Sequence, residues 1–307
     1  FLISPILIFS VSSNEASEEK VVFIKSGYST NEIADLLKKE NVIKSSFFFK
    51  IFVKVIKLEN KLKSGEYLFS GKTSLSSVID ILKNGEFYYR KIVIPECTTI
   101  ETVIEIINKN KFLVGKLDGL LNEGSVFPDT YFFLRGEEKE KIVKRMQNKM
   151  ENVVNKIWHN QSKILKTKLD LIKLASIIEA ETIKAEEKFI VSSVFHNRLK
   201  KNMKLQSDPT ILYAKNLFSE EKTRKIFKFD LRNDNAWNTY TRKGLPITPI
   251  CNPGEIALNA AMNPIETNYL YFVADGKKGH RFSATLKQHQ ENVIIWRKKL
   301  TEKNENK

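Results

Sequence analysis

Two glutamates, Glu179 and Glu181, stand two residues apart in the stretch KLASIIEAETIKAEEKFIV, which otherwise reads as a buried helix. On a helical wheel of residues 171–189, Leu171, Leu174, Ala175, Ile178, Ala185 and Phe189 form one apolar face. Glu179 and Glu181 fall on opposite shoulders of that face. Glu186 lies near the Glu179 shoulder and Glu187 towards the far side. A carboxylate at the edge of an apolar face is partly desolvated, which raises its pKa and favours the neutral acid. That is the state a general acid requires. The plainer reading is a solvated glutamate paired with Lys184 or Lys188. Periodicity alone does not choose between Glu179 and Glu181.

The second half of the chain gathers polar side chains around turns. LQSDPT offers Gln206, Ser207 and Asp208 ahead of a proline that fixes the backbone. NTYTRKGLP offers Asn238, Thr239, Tyr240 and Arg242, and FVADGKKGH places Asp275 and His280 around a glycine turn. Amides, hydroxyls and aromatic rings together suit a sugar chain, with its many hydroxyls and flat apolar faces. Each group taken alone also reads as turn chemistry or a strand end.

Two stretches of different texture must position these residues. From Val21 to about Asn110, short strands alternate with capped helices: KVVFIKSG, SGEYLFS and YYRKIVIPE as strands, STNEIADLLKKENVI, TSLSSVIDILKNGE and TTIETVIEIINKN as helices. This loose repetition predicts a small α+β module. The punctuated segment LNEGSVFPDTYFFLRG follows, then a charged amphipathic helix with Ile142, Met146, Met150 and Val153 on one stripe. LDLIKLASIIEAETIKAEEKFIVSSVFHNRL predicts one or two helices. Beyond Met203 the chain is turn-rich, with a helix at PGEIALNAAMNP, a hairpin from NYLYFVA and HRFSAT, and a C-terminal helix that frays into charge. The expected organisation is an anchor and linker over 1–19, an α+β module over 20–110 and a larger helix-rich α+β domain over 111–307.

The chain has 307 residues, 42% of them hydrophobic and 10% aromatic, enough for packed cores. Its net charge of +15 fits nucleic acid, an anionic membrane surface or an acidic polymer. The lysines are spread along the whole chain rather than clustered, which argues against a nucleic-acid partner. Cys97 and Cys251 form no CxxC motif, and the four histidines form no i,i+4 pair, so neither a metal nor a cofactor is expected. The two cysteines are expected to be unrelated thiols, although an oxidising compartment would allow them to pair. The apolar stretch from Phe1 to Val11 is shorter than the roughly 20 residues a membrane span takes. Its abrupt polar exit predicts the tail of a single-pass anchor.

Four blocks occur in order: ASIIEAET, VFHNRLKKNMKLQSDPTILYA, NTYTRKGLPITPICNPGEIALNAA and YLYFVADGKKGHRFSATLKQH. They resemble the motifs of the YceG-like (MltG) family of endolytic murein transglycosylases. FPDTYFF resembles an earlier block of that family, and the module with LKSGEYLF and LSSVIDILKNGE resembles its LysM-like portion. The resemblance implies an enzyme that cuts the MurNAc–GlcNAc β-1,4 bond within nascent peptidoglycan strands and leaves 1,6-anhydro-N-acetylmuramic acid ends, with no cofactor. It implies Glu181, the second acid of E-x-E-T, as the catalytic residue and Glu179 as a supporting acid. Gln206, Ser207, Asp208, Asn238, Thr239 and Tyr240 would line the cleft. It also implies placement at the outer face of a bacterial cytoplasmic membrane, with cell-wall synthases (penicillin-binding proteins) as candidate partners. Three positions depart from the family pattern: Cys97 and Lys278 stand where glycine is common, and Ile247 where proline is common. The competing reading is a peptidoglycan-binding scaffold that uses the same cleft without catalysis.

Overall fold

The computed structural model describes residues 19–70, 73–117, 120–159, 164–219, 221–277 and 279–305. The chain forms two compact units. One takes the residues up to Ile92 together with Phe112–Val114 and Tyr131–Glu138; the other takes Val93–Lys111, Gly115–Thr130 and the chain from Lys139 onward.

In the first unit, β1 (Lys20–Ile24) pairs antiparallel with β2 (Gly65–Phe69), from Lys20↔Phe69 to Ile24↔Gly65. Helices α1 (Thr30–Lys39), α2 (Ser46–Val55) and α3 (Leu75–Asn84) pack Ile33, Leu37, Phe49, Val53, Val78 and Leu82 against Val22, Ile24 and Tyr67. The caps are those the sequence announces. Ser29 and Glu32 form a capping box, Ser74 accepts from Ser77 N, and α3 ends on Gly85 in the left-handed region. Helix α2 is missing from the sequence-based expectation, although Ser46, Lys50 and Lys54 stand four apart on one side of SFFFKIFVKV and mark its polar stripe. Glu66, 4% exposed, is gripped by Arg90 at 2.7 Å and Arg135 at 3.1 Å. Burial alone would raise its pKa, but the two guanidiniums outweigh it and hold the carboxyl below its ordinary value.

Strands β3 (Arg90–Val93) and β4 (Thr130–Phe133) pair with each other. The second unit contains α4 (Ile100–Asn108), α5 (Lys139–Ile157), α6 (Lys168–Glu181), α7 (Ala185–Lys200), α8 (Asp208–Leu217), a 3-10 turn at Asp230–Arg232 and α9 (Glu255–Met262). The hairpin β5 (Tyr271–Ala274) and β6 (His280–Ser283) and the helix α10 (Leu286–Glu305) complete it. Its core gathers Leu171, Leu174, Ile177 and Ile178 of α6, Val191 and Phe195 of α7, and Ala257, Leu258 and Ala261 of α9. The described chain is thus a helix-rich α+β fold.

Two expectations change and a third is narrowed. Of the one or two helices expected across 171–189 there are two: α6 ends at Glu181, Thr182 is extended (φ −147°, ψ 138°), and α7 starts at Ala185, so one helical wheel does not describe the stretch. Residues 176–179 are all buried, so α6 has no single apolar face. Cys97 and Cys251 are not unrelated thiols but a disulfide, with Cα atoms 4.8 Å apart. Cys97 has φ +56°, the left-handed conformation that favours glycine, the residue common there in the family it resembles. The single-pass anchor is not supported, since among the described residues no helix is long and apolar enough to cross a membrane. The stretch from Phe1 to Val11 on which that expectation rested lies outside the described residues, as does Lys278. The placement at a cytoplasmic membrane loses its basis with the anchor.

Candidate active site

The end of α6 separates the two glutamates. Glu179 is 7% exposed and lies 2.5 Å from Lys188 Nζ. Its other oxygen accepts from Gly254 N at 3.1 Å, at the N-cap of α9. Burial raises its pKa, with Lys188 and the Gly254 amide opposing. Lys188 also reaches Glu96 at 3.5 Å. A Cβ at position 254 would lie 1.9 Å from Glu96 Oε1, so a larger residue there would displace the half-exposed Glu96 side chain. Glu179 therefore joins α6, α7 and α9 as a structural carboxylate.

Glu181, the last residue of α6, has a different neighbourhood. It remains partly open to solvent, and Ser207 Oγ donates to its Oε1 at 2.5 Å. Burial of the carboxyl pushes its pKa up to about 7; the nearby charge of Asp208 adds to the rise, while the Ser207 hydroxyl and Arg198 oppose it. The carboxyl is thus poised between acid and base near neutrality.

The SDP motif explains how Ser207 arrives there. It occupies the N-cap of α8, with Pro209 in the first turn, but makes no side-chain cap bond. Its hydroxyl is committed to Glu181 instead. The backbone around it is clamped. Ser207 N donates to Thr239 Oγ1 at 3.0 Å, Gln206 N donates to Thr239 O at 3.1 Å, and Thr210 Oγ1 donates to Ser207 O at 2.7 Å. Gln206 has φ +49°, and its side-chain oxygen accepts from Arg198 at 3.4 Å. The buried Arg198 also donates to Leu205 O at 2.8 Å and Leu270 O at 2.6 Å. Tyr240 OH donates to Asp208 Oδ1 at 2.5 Å; burial, then this carboxylate, raises the phenol's pKa.

The structure thus brings Ser207, Asp208, Gln206, Thr239 and Tyr240 to one cluster with Glu181 and leaves Glu179 in another. Within the cluster the roles divide. Gln206 and Asp208 are exposed and Tyr240 is half-buried, so these can meet a ligand. Asn238 and Thr239 are 1% and 2% exposed. Asn238 Nδ2 donates to Asn233 O at 2.7 Å and its Oδ1 accepts from Tyr240 N at 2.8 Å, so it pins the loop rather than lining a surface. Of the other turn residues, Arg242 pairs with Asp234 at 2.9 Å and Asp275 accepts from Lys277 N and Gly279 N. His280 Nδ1 meets Glu187 at 2.8 Å. Burial alone would raise Glu187, but His280 and Lys184 together hold it low.

The sequence reading passed over Glu123. Its carboxyl accepts from Ile100 N at 3.0 Å, at the start of α4, and from Tyr213 OH at 3.2 Å. Burial pushes its pKa up to about 7. An acid directly before Gly124, in a punctuated segment, was the available sign. Among the described residues no group of three or more His, Cys, Asp or Glu is arranged to hold a metal ion.

Fold and site define a helix-rich α+β protein that holds a desolvated glutamate at the end of α6 against the serine at the N-cap of α8. The chain belongs to the YceG-like family, which residues 22–294 match. It is 33% identical over 298 residues to an endolytic murein transglycosylase of Bacillus subtilis (strain 168), covering 87% of this chain and 81% of that protein. It is 25% identical over 325 residues to an endolytic murein transglycosylase of Streptococcus pneumoniae (strain D39), covering 91% of this chain but 59% of that longer protein. A crystal structure of a yceG-like protein from Listeria monocytogenes superposes with a TM-score of 0.58 at 29% identity, over 89% of this chain and 98% of the other.

Proposed function

We propose that this chain is an endolytic peptidoglycan transglycosylase that cleaves the β-1,4 bond between N-acetylmuramic acid and N-acetylglucosamine within nascent glycan strands, with Glu181 as acid and then base. The observation that carries the reading is the Glu181 carboxyl, pushed up to about 7 and hydrogen-bonded by Ser207. The names of the Bacillus and Streptococcus relatives support it. The LysM-like reading of the first unit belongs to the same proposal.

In the first half-reaction, neutral Glu181 gives its proton to the bridging glycosidic oxygen as the C1–O bond breaks. The carboxylate left behind takes the proton of the muramic acid C6 hydroxyl, and O6 closes on C1. A 1,6-anhydro end forms, no water is consumed, and Glu181 returns to the acid form. A hydrolase with two carboxylates needs a second acid beside the scissile bond. Glu179 is held by Lys188 and Gly254 N and does not serve that role. The nucleophile belongs to the substrate, so proximity within one sugar ring supplies much of the rate. Ser207 donates to the ionised state and so eases each deprotonation of Glu181.

Digestion of purified peptidoglycan with mass analysis of the ends tests the reading. Anhydro ends, each one water lighter than a reducing end, are the expected product. Reducing ends as the main product would replace transglycosylation by hydrolysis. Binding without any cleavage would favour a glycan-binding scaffold.

A further inference from the structure

A second feature of the larger unit lies at the far end of α8. A cavity of about 370 Å³ opens between Ile211, Ala214, Lys215 and Phe218 of the helix side and Phe229, Asp230, Asn233 and Asn235 of the loop that follows. That volume is in the range of small-ligand sites. Its rim carries large apolar side chains in water: Phe218 is 75% exposed and Phe229 67%. Phe229 is stacked on Phe227 with centroids 5.8 Å apart and planes within 4°. Lys215 lies over the Phe227 ring at 4.7 Å and pairs with Asp230 at 2.9 Å. Exposed rings gathered around a cavity mark a binding surface, where scattered ones would not.

We infer that this cavity is a distal subsite for an N-acetylated β-1,4-linked sugar of a glycan strand whose scissile bond lies at Glu181. The inference rests on the proposed function for its choice of ligand. Three observations fix the chemistry. Flat exposed phenylalanines offer a face to the apolar side of a pyranose ring. The exposed Asn233 brings an amide that exchanges hydrogen bonds with hydroxyl and acetamido groups, while Asn235 is held in the loop by Asn233 O and Trp237 N. The Lys215–Asp230 pair neutralises the two charges on the wall, so the cavity suits a neutral ligand rather than an anion.

Continuity with Glu181 fixes the polymer. Ser207 and Asp208 begin α8 and Leu217 ends it, a helix of ten residues and so about 15 Å long. That span exceeds one sugar ring, so a ligand joining the two ends has several units. The return path is equally continuous: Asn238 ties Asn233 O to Tyr240 N, and Tyr240 OH holds Asp208. One helix and one pinned loop thus connect the cavity to the reacting carboxyl.

Trp237 provides the test, because its indole packs against Phe218 and Tyr213, each at 6.0 Å. Tryptophan emission of the full chain is titrated with a soluble β-1,4-linked N-acetylglucosamine hexamer. This probe has no muramic acid and forms no anhydro end, so binding is read apart from cleavage, and a failed transglycosylase reading leaves the measurement intact. A saturable emission change is expected. Phe229→Ala and Asn233→Ala should each weaken it at least about ten-fold, the scale of 1.4 kcal/mol in affinity. Phe47→Ala, which removes an exposed ring of the other unit, should bind as the parent does. No response to the hexamer overturns the inference. So does parental affinity in both cavity variants when their melting curves match the parent, or an equal loss in Phe47→Ala.

Discussion

Glu179 and Glu181 belong to the same last turn of one helix, yet one is held in a buried ion pair and the other, the acid of the proposed mechanism, faces a serine hydroxyl. Both carboxyls are desolvated, and in both desolvation is the largest influence on pKa. The difference lies in what each environment supplies in return. Glu179 receives a full positive charge and a backbone amide, so its ionised form has a fixed partner. Glu181 receives one hydroxyl, and its nearest charges conflict, Asp208 against Arg198. Both carboxyls stay raised, but a buried ammonium partner makes one a brace, while a hydroxyl as its close donor leaves the other an acid that titrates near neutrality.

The largest effect expected from breaking this asymmetry is at Glu181. Glu181→Gln keeps the shape but cannot shuttle a proton, and should lower anhydro-end release by roughly 100- to 10,000-fold. The same variant should be more stable than the parent at alkaline pH. A carboxyl raised from 4.5 to about 7 in the folded state gives stability that is complete below pH 4.5 and is lost as pH rises through about 7. Gln carries no such loss, so above pH 7 the gain is at most about 3 kcal/mol. A folded Glu181→Gln with near-parental release shows that another acid acts.

At Glu179 the order of effects should reverse. Lys188→Met strands a buried carboxyl and should cost about 3–5 kcal/mol of stability. Lys188→Met combined with Glu179→Leu should recover most of it, because a buried pair replaced by apolar groups is often neutral. Denaturation of the two singles and the double closes the cycle. Additive losses would mean that the pair is not coupled. The disulfide braces the same side of the site. Cys251 Sγ lies 3.5 Å from Ser176 O on α6, and Cys97 N donates to Asn252 O at 2.9 Å. Reduction by a dithiol opens a closed loop of 154 residues and should cost about 2–5 kcal/mol. Melting with and without reductant checks this, and unchanged curves would exclude a stabilising bridge.

What the sequence disclosed followed from local rules. Ser29, Ser74 and Thr99 cap helices because capping depends on residues three apart. Both glutamates stood out because their spacing is local as well. Choosing between them depends on Ser207, 26 residues beyond Glu181 and outside the helical wheel, and on Lys188, which the wheel misplaces because the helix breaks at Thr182. Helix α8 was hidden because SDP reads equally as a turn and as a helix start. Asn238 and Thr239 were grouped with the cleft by residue type, yet they are consumed in holding Tyr240 and Ser207. The Cys97–Cys251 pairing depends on a backbone bridge between Thr98 and Asn252, a contact that no spacing announces.

The smallest effect, and the sharpest test of the asymmetry, is at Ser207. Its hydroxyl favours the ionised form of Glu181, while burial and Asp208 disfavour it. Ser207→Ala removes one opposing influence and leaves the others, so the Glu181 pKa must move further up. The residue is 1% exposed, and its backbone bonds to Thr239 and Thr210 do not need the side chain, so the turn should persist. Because the neutral acid begins the reaction in the proposed mechanism, the alkaline limb of kcat/KM should shift to higher pH, by about one unit for the loss of one hydrogen bond to a charged group. The maximum rate should fall only several-fold, since the first half-reaction then generates a less stabilised carboxylate while the second gains a stronger base. A pH profile of anhydro-end release decides it. A limb that stays in place, or moves to lower pH, would show that the Ser207 hydroxyl does not set the acidity of Glu181.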